Sequence, residues 1–168
     1  RKLNASDIAF SFHRLIDPLT ASPGAWVFND RVDKDVPFTV VDDSTFDLRL
    51  ARPFSPILGV LSAKYCSVVP REAVQFYGKD FRRHPCGTGP FQLARWDEGQ
   101  SLVLRKNPRY FEQQNGRNLP YLDAVRVTFS QNPVSVFHRL LQGSVDFINR
   151  PSNLLKDEVL QADGSLKK

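Results

Sequence analysis

Apolar and polar positions repeat with a period that changes along the chain. Between residues 4 and 17, Ile8, Phe12, Leu15 and Ile16 share one face at helical spacing. Asn4 or Ser6 suits the cap of this helix, and Asp7, three residues after Asn4, gives a capping-box spacing and favours the helix dipole. Asp17-Pro18 ends it. Residues 18–35 read as a loop turning at Pro23-Gly24, with Trp26 and Phe28 unusually apolar for such a segment. A hairpin follows, in which Phe38–Val41 and Thr45–Leu50 flank the turn Asp42-Asp43-Ser44, and Phe46, Leu48 and Leu50 alternate with polar residues. Ser55-Pro56 opens a short helix whose expected face is Leu58, Leu61 and Tyr65, with proline where its missing N–H costs nothing. Pro70 opens a third helix that runs through Phe76-Tyr77 and closes at Gly78.

Gly87 to Gly89 breaks the pattern. Two strands, Phe91–Trp96 and Ser101–Lys106, then flank the glycine-containing turn Asp97–Gln100, and Asn107-Pro108 stops the second. Gln113 to Pro120 is a polar loop, Val125, Val127 and Phe129 alternate as a strand, and Val134, Phe137, Leu140 and Leu141 form a helical face closed by Gly143. Val145–Ile148 reads as a last strand, and from Arg150 the chain is polar and expected to fray. Helices and strands interleave without an internal repeat, so the fold class is α/β (mixed α+β), a mixed sheet with flanking helices.

At 168 residues the chain has the size of one domain with room for a small second lobe, and 13 Phe, 2 Trp and 4 Tyr exclude disorder by supplying ample material for burial. No apolar run approaches the roughly 20 residues of a membrane helix. The net charge of +5 raises a nucleic-acid reading, but it divides as +2 over residues 1–86 and +3 over residues 87–168, with basic runs no longer than Arg82-Arg83 or Arg105-Lys106. A surface that tracks phosphates needs a concentrated stripe, so a mixed solvated surface fits better and no nucleic-acid partner is expected. Cys66 and Cys86 make no CxxC pair, and either bridge to each other or lie as two buried thiols. The chain starts Arg1-Lys2-Leu3, with neither Met nor an apolar signal region, and is expected to be a piece of a longer protein.

Candidate chemistry is thin. Gly87-Thr88-Gly89-Pro90 is neither GxxxxGK[ST] nor a GxGxxG that opens a helix, and reads as a turn between two units. His13, His84 and His138 lack zinc spacing, so neither metal nor other cofactor is expected. His84 and Cys86 could share a face as base and thiol, but no orienting third group is evident and no GxSxG elbow exists, so no catalytic residue is assigned and the chain is read as not an enzyme. Trp26 and Phe28 admit two readings: they plug a small core under their loop, or they wall a ligand held largely through its backbone.

Five stretches carry a resemblance. Asn4 to Pro18 followed by Thr20-Ala-Ser-Pro23 resembles "T-A-x-D-V-x-F-S-x-x-R-L-x-D-P-x-T-A-S-P" of the extracytoplasmic solute-binding proteins of family 5, the dipeptide- and oligopeptide-binding components of ABC importers. Val41 to Leu50 with Arg52-Pro-Phe-Ser-Pro56 is similar to their "V-D-D-x-T-V-x-x-x-L-x-x-P-x-x-P". Gly87-Thr-Gly-Pro-Phe91, Trp96, Gly99-Gln100 and Leu104 to Phe111 resemble "G-T-G-P-Y/F … W … G-x-x-x-x-L-x-x-N-P-x-Y-W". Pro120-Tyr-Leu-Asp-Ala-Val125 and Leu141-Gln-Gly-Ser-Val-Asp-Phe147 resemble "P-Y-L-D-x-V" and "L-x-x-G-E-V-D". Each is weak alone; five in order over nearly the whole chain are strong. The chain departs from the pattern at Gly24-Ala25, where a bulkier residue is expected in peptide binders, and at Cys86, where small aliphatics are common.

The resemblance implies a type II periplasmic-binding-protein-like fold in which two hinged lobes trap a solute. On that comparison residues 1–86 form a smaller subdomain, 87–148 the returning portion of lobe one, and 149–168 a hinge-proximal or frayed tail. It implies Trp26 and Phe28 on the ligand side, Asn149 and Arg150 near the hinge and ligand, and Gly87, Thr88, Gly89 and Pro90 as the re-entry turn between subdomains. The implied partners are a peptide or other small solute and the membrane permease of an ABC importer, outside the cytoplasm. Binders of nickel complexes or oligosaccharides in the same family, and regulatory nucleic-acid-binding modules built on the same fold, are the alternatives. A dimer through the truncated face is a further expectation, because truncation would bare apolar surface.

Overall fold

The protein was analysed as a computed structural model, which describes residues 1–149, 155–161 and 165. Helix α1 (Ala5–Ile16) begins at Asn4, whose side chain accepts from the backbone N–H of Asp7 while the Asp7 carboxylate accepts from that of Asn4. The two bonds satisfy two donors that a helix start leaves orphaned. Strands β1 (Phe38–Val40) and β2 (Phe46–Leu48) pair antiparallel, Phe38 opposite Leu48 and Val40 opposite Phe46. Two short helices follow, α2 (Ile57–Leu61) and α3 (Arg71–Tyr77), the latter ended by Gly78 at φ +52°, a backbone region costly for any residue with a Cβ. Strands β3 (Phe91–Asp97), β4 (Ser101–Lys106) and β7 (Ala124–Thr128) form a sheet in the order β3-β4-β7; β5 (Gln113–Gln114) and β6 (Arg117–Asn118) pair separately. Helices α4 (Pro133–Leu141) and α5 (Lys156–Val159) complete the described elements.

The chain divides into two compact units. The first comprises residues 1–94 and 104–124. Its core is built on the apolar face of α1, with Phe12 as the hub: the Phe28 ring lies 4.9 Å away, Phe38 at 5.5 Å and Phe46 at 5.6 Å. Tilted and edge-on contacts at such distances suit the ring quadrupole. Leu15, Val27, Val32 and Cys66 fill the remainder. The buried Ser11 hydroxyl donates to the Asp7 carbonyl at 2.7 Å and accepts from Val69 N–H at 2.9 Å, fastening α1 to the segment before α3. Asn107 is also buried, and its own backbone N–H and side chain tie down the turn at Gly87–Pro90.

The second unit comprises residues 95–103 and 125–168. Asn132 caps α4 by accepting from Val134 N–H and Ser135 N–H, and Phe137 is its buried residue. Gly143, at φ +70°, closes the helix, with Ser144 N–H returning to the Arg139 carbonyl at 2.9 Å.

Three sequence expectations are corrected. Leu61 and Tyr65 pack against the core as expected, but Leu58 is 78% exposed and Val60 takes its place. Val145–Ile148 forms no strand; apolar β-formers remain irregular without a ladder partner, and none is present among the described residues. Cys66 and Cys86 are free thiols, the first buried and the second exposed, so they are neither bridged nor both buried. Burial pushes the Cys66 thiol's pKa up.

Candidate functional site

Trp26 and Phe28 sit two residues apart around a single 3-10 turn, Ala25–Val27, and point to different surroundings. Phe28 has no exposed surface, because Phe12 and Phe38 enclose its ring. Its ring is part of the core, the first of the two readings its sequence position allows. Trp26 is 54% exposed, the reverse case.

Trp26 stands at the centre of a cluster of rings and cations on the first unit. Its ring meets Tyr65 edge-on at 6.4 Å, and the Arg31 guanidinium lies 5.8 Å from its centre and 5.2 Å from that of Phe54. The Lys64 ammonium is 5.2 Å from the Tyr65 ring. Such cation–ring contacts contribute about 0.5–1 kcal/mol each at exposed sites. Arg31 Nη1 also donates to the carbonyls of Trp26 and Val27, the latter at 3.1 Å, which closes the 3-10 turn. Gly24 explains the departure from the family pattern: a Cβ there would sit 2.4 Å from two Tyr65 ring atoms, so Tyr65 occupies the space a side chain would need.

The turn Gly87–Pro90 has a clear fastening. Asn107 Nδ2 donates to the Gly89 carbonyl at 2.9 Å, and its backbone N–H donates to the Pro90 carbonyl at 2.8 Å. Its Oδ1 accepts from Gln92 Nε2 at 3.1 Å and from Arg109 N–H at 3.0 Å. Asn107 was visible in the sequence only as a strand stop before proline; a buried amide with both ends engaged needs coordinates to be seen. A Cβ at Gly87 or Gly89 would meet no atom within 4 Å and neither has a positive φ, so neither close approach nor a left-handed backbone requires glycine at these positions.

Asn149 is exposed at a bend in the second unit, whereas Trp26 belongs to the first. Arg150 lies outside the described residues. Two open depressions mark the first unit, one of about 370 Å³ bordered by Ile16, Phe28, Asp30, Asp33, Lys34 and Pro37, the other of about 380 Å³ bordered by Tyr77, Arg83, His84, Cys86 and Leu93. In the second the imidazole of His84 is stacked on Tyr77 at 3.8 Å. No cluster of three or more metal-ligating side chains occurs among the described residues. Nor is any helix among them long and apolar enough to cross a membrane. What the geometry offers around Trp26 is contact surface with cations held against rings.

Comparison with known proteins places this architecture. AgaA of A. tumefaciens R10, solved in complex with agropinic acid, superposes on the chain with a TM-score of 0.80 at 22% identity, over 94% of the chain and 30% of AgaA. The fold is that of the type II periplasmic binding proteins of the oligopeptide-binding kind. The sequence matches the family described as bacterial extracellular solute-binding proteins, family 5 Middle, over residues 1–167, and the chain belongs to that family. Among its relatives, the glutathione-binding protein GsiB of Salmonella typhimurium is 35% identical over 86 residues, 51% of this chain and 16% of GsiB. The peptide transport periplasmic protein SapA of the same organism is 29% identical over 174 residues, 94% of this chain and 31% of SapA. The chain thus spans no more than about a third of the relatives it matches.

Proposed function

We propose that the protein carrying this chain is the extracytoplasmic solute-binding component of an ABC importer, and that its solute is a di- or oligopeptide. The observation that supports this reading most directly is the family match over residues 1–167 together with the similarity to SapA, a peptide transport protein, along nearly the whole chain. The function is capture without chemistry. An open form admits the solute, closure about a hinge buries it, and the permease responds to the closed form, a population shift set by the difference in solute affinity between the two states. In this scheme residues 1–86 act as a smaller subdomain, 87–148 as the returning part of lobe one, and 149–168 as the hinge-proximal segment. Trp26 faces the solute, Asn149 lies by the hinge, and Gly87–Pro90 is the re-entry turn.

The test is mass spectrometry of small molecules released from the purified full-length protein. Recovery of peptides supports the assignment; recovery of a single non-peptide solute overturns the peptide class while leaving capture intact. AgaA, with agropinic acid bound, favours that second reading, a non-peptide solute held by the same fold. Steeply salt-dependent DNA retention in a gel would instead point to a regulatory module.

A further inference from the structure

We propose that Arg31 recognises a carboxylate on the solute, with Trp26 and Phe54 as the apolar surface beside it. The proposal rests on the solute-binding reading above and deepens it by naming the group on the solute that this unit reads.

Arg31 is held as few surface arginines are. Its guanidinium lies within cation–π distance of two rings, at 5.8 Å from Trp26 and 5.2 Å from Phe54, and Nη1 is anchored on the Trp26 and Val27 carbonyls. These contacts restrict the group while engaging only Nη1 of its nitrogens in hydrogen bonds. A guanidinium carries five N–H donors in one plane, so donors on the other nitrogens remain for a partner. Among the described residues no carboxylate pairs with Arg31, and its Nε and Nη2 donate no hydrogen bond. Nε–H and one Nη2–H point the same way, as the fork that a carboxylate accepts with both oxygens.

The surroundings favour an anion and disfavour an amine. The second charged group in the cluster is Lys64, also cationic, on the far ring of the Trp26–Tyr65 pair. Half-burial of Arg31 beside aromatic rings lowers the local dielectric, so a solute carboxylate would gain more here than on an open surface. A preorganised side chain also loses little rotamer freedom on binding. For a peptide solute the group is the C-terminal carboxylate, which places that end, and not the amino end, against the first unit.

Calorimetric titration of the full-length protein with the tripeptide Ala-Phe-Ala, its C-terminal amide and its N-acetyl form tests this. The amide is expected to bind about tenfold or more weakly than the free acid, with the N-acetyl form spared that loss at this position. Arg31→Gln is expected to bring the free acid down to the affinity of the amide while leaving the amide unchanged, the non-additive signature of a direct pair. Arg31→Lys keeps the charge but loses the fork, and falls between the two. Equal binding of acid and amide, or an Arg31→Gln variant that weakens both alike, overturns the proposal while leaving solute capture standing. If none of the three peptides binds, the peptide reading falls and this inference falls with it. The acid–amide comparison needs no substitution, so it decides the matter even if Arg31→Gln fails to fold.

Discussion

At the scale of single residues, Asp7 does more than cap a helix. It is 5% exposed and receives both the backbone N–H of Asn4 and the Arg1 guanidinium, whose Nη1 donates to Oδ2 at 2.7 Å. Arg1 also reaches Glu72 on α3, with Nη2 to Oε2 at 2.8 Å, so one cation joins the start of α1 to a second helix. The hydrogen bond from Arg1 holds the Asp7 carboxyl below the usual carboxylate range, against the opposing effect of burial. Because the folded state binds this proton more weakly than the unfolded chain, the contribution to stability is complete above the ordinary aspartate range and is lost progressively as pH falls below that range toward the lowered folded-state pKa. Asp7→Asn is therefore expected to lose about 1–2 kcal/mol near pH 7. In urea unfolding its deficit relative to the parent should shrink as both are taken toward about pH 3. A deficit that stays constant across that range would show that charge at Asp7 is immaterial.

At the scale of elements, what the sequence reveals is what repeats. The capping box at Asn4 and Asp7, the hairpin alternation at Phe46 and Leu48, and the Gly78 stop are all local signals, and each appears as expected. The face of α2 was legible only in part: Leu61 packs on the core as expected, but five residues make less than two turns, over which a spacing of three cannot be told from four, and Leu58 points to solvent. The Gly24–Tyr65 contact joins residues 41 positions apart and leaves no local mark. Trp26 and Phe28 were indistinguishable for the same reason, since a loop has no period by which to assign faces. Their different surroundings make a sharp comparison. Phe28→Ala removes a ring with 0% exposure from the hub of the core and should cost about 3–5 kcal/mol, whereas Trp26→Ala, at a 54% exposed position, should cost about 1 kcal/mol or less. Denaturation midpoints of the two variants check this, and similar losses would mean that Trp26 is structural in the same degree as Phe28.

At the scale of the molecule, the same chain that builds a tight core also presents large apolar side chains to solvent. In the first unit Leu58, Phe76 and Phe111 are 78%, 81% and 74% exposed; in the second, Leu141 and Phe147 are 67% and 78% exposed. Scattered apolar residues are ordinary on a soluble surface, but an exposed Phe carries far more transferable area than an exposed Val, and three of these five are Phe. The chain spans about a third of SapA, so a full-length relative has twice as much sequence again with which to cover such positions. The isolated 168-residue chain should therefore self-associate through them, whereas the full-length protein should not. Sedimentation velocity across a hundredfold concentration range distinguishes the cases: a shift toward dimer for the isolated chain, reduced by Phe76→Ser and Phe111→Ser together, is the expected result. The effect should weaken on cooling and change little with salt, because the driving force is apolar burial and not charge. An isolated chain that stays monomeric throughout would show that these side chains are too dispersed to form a face.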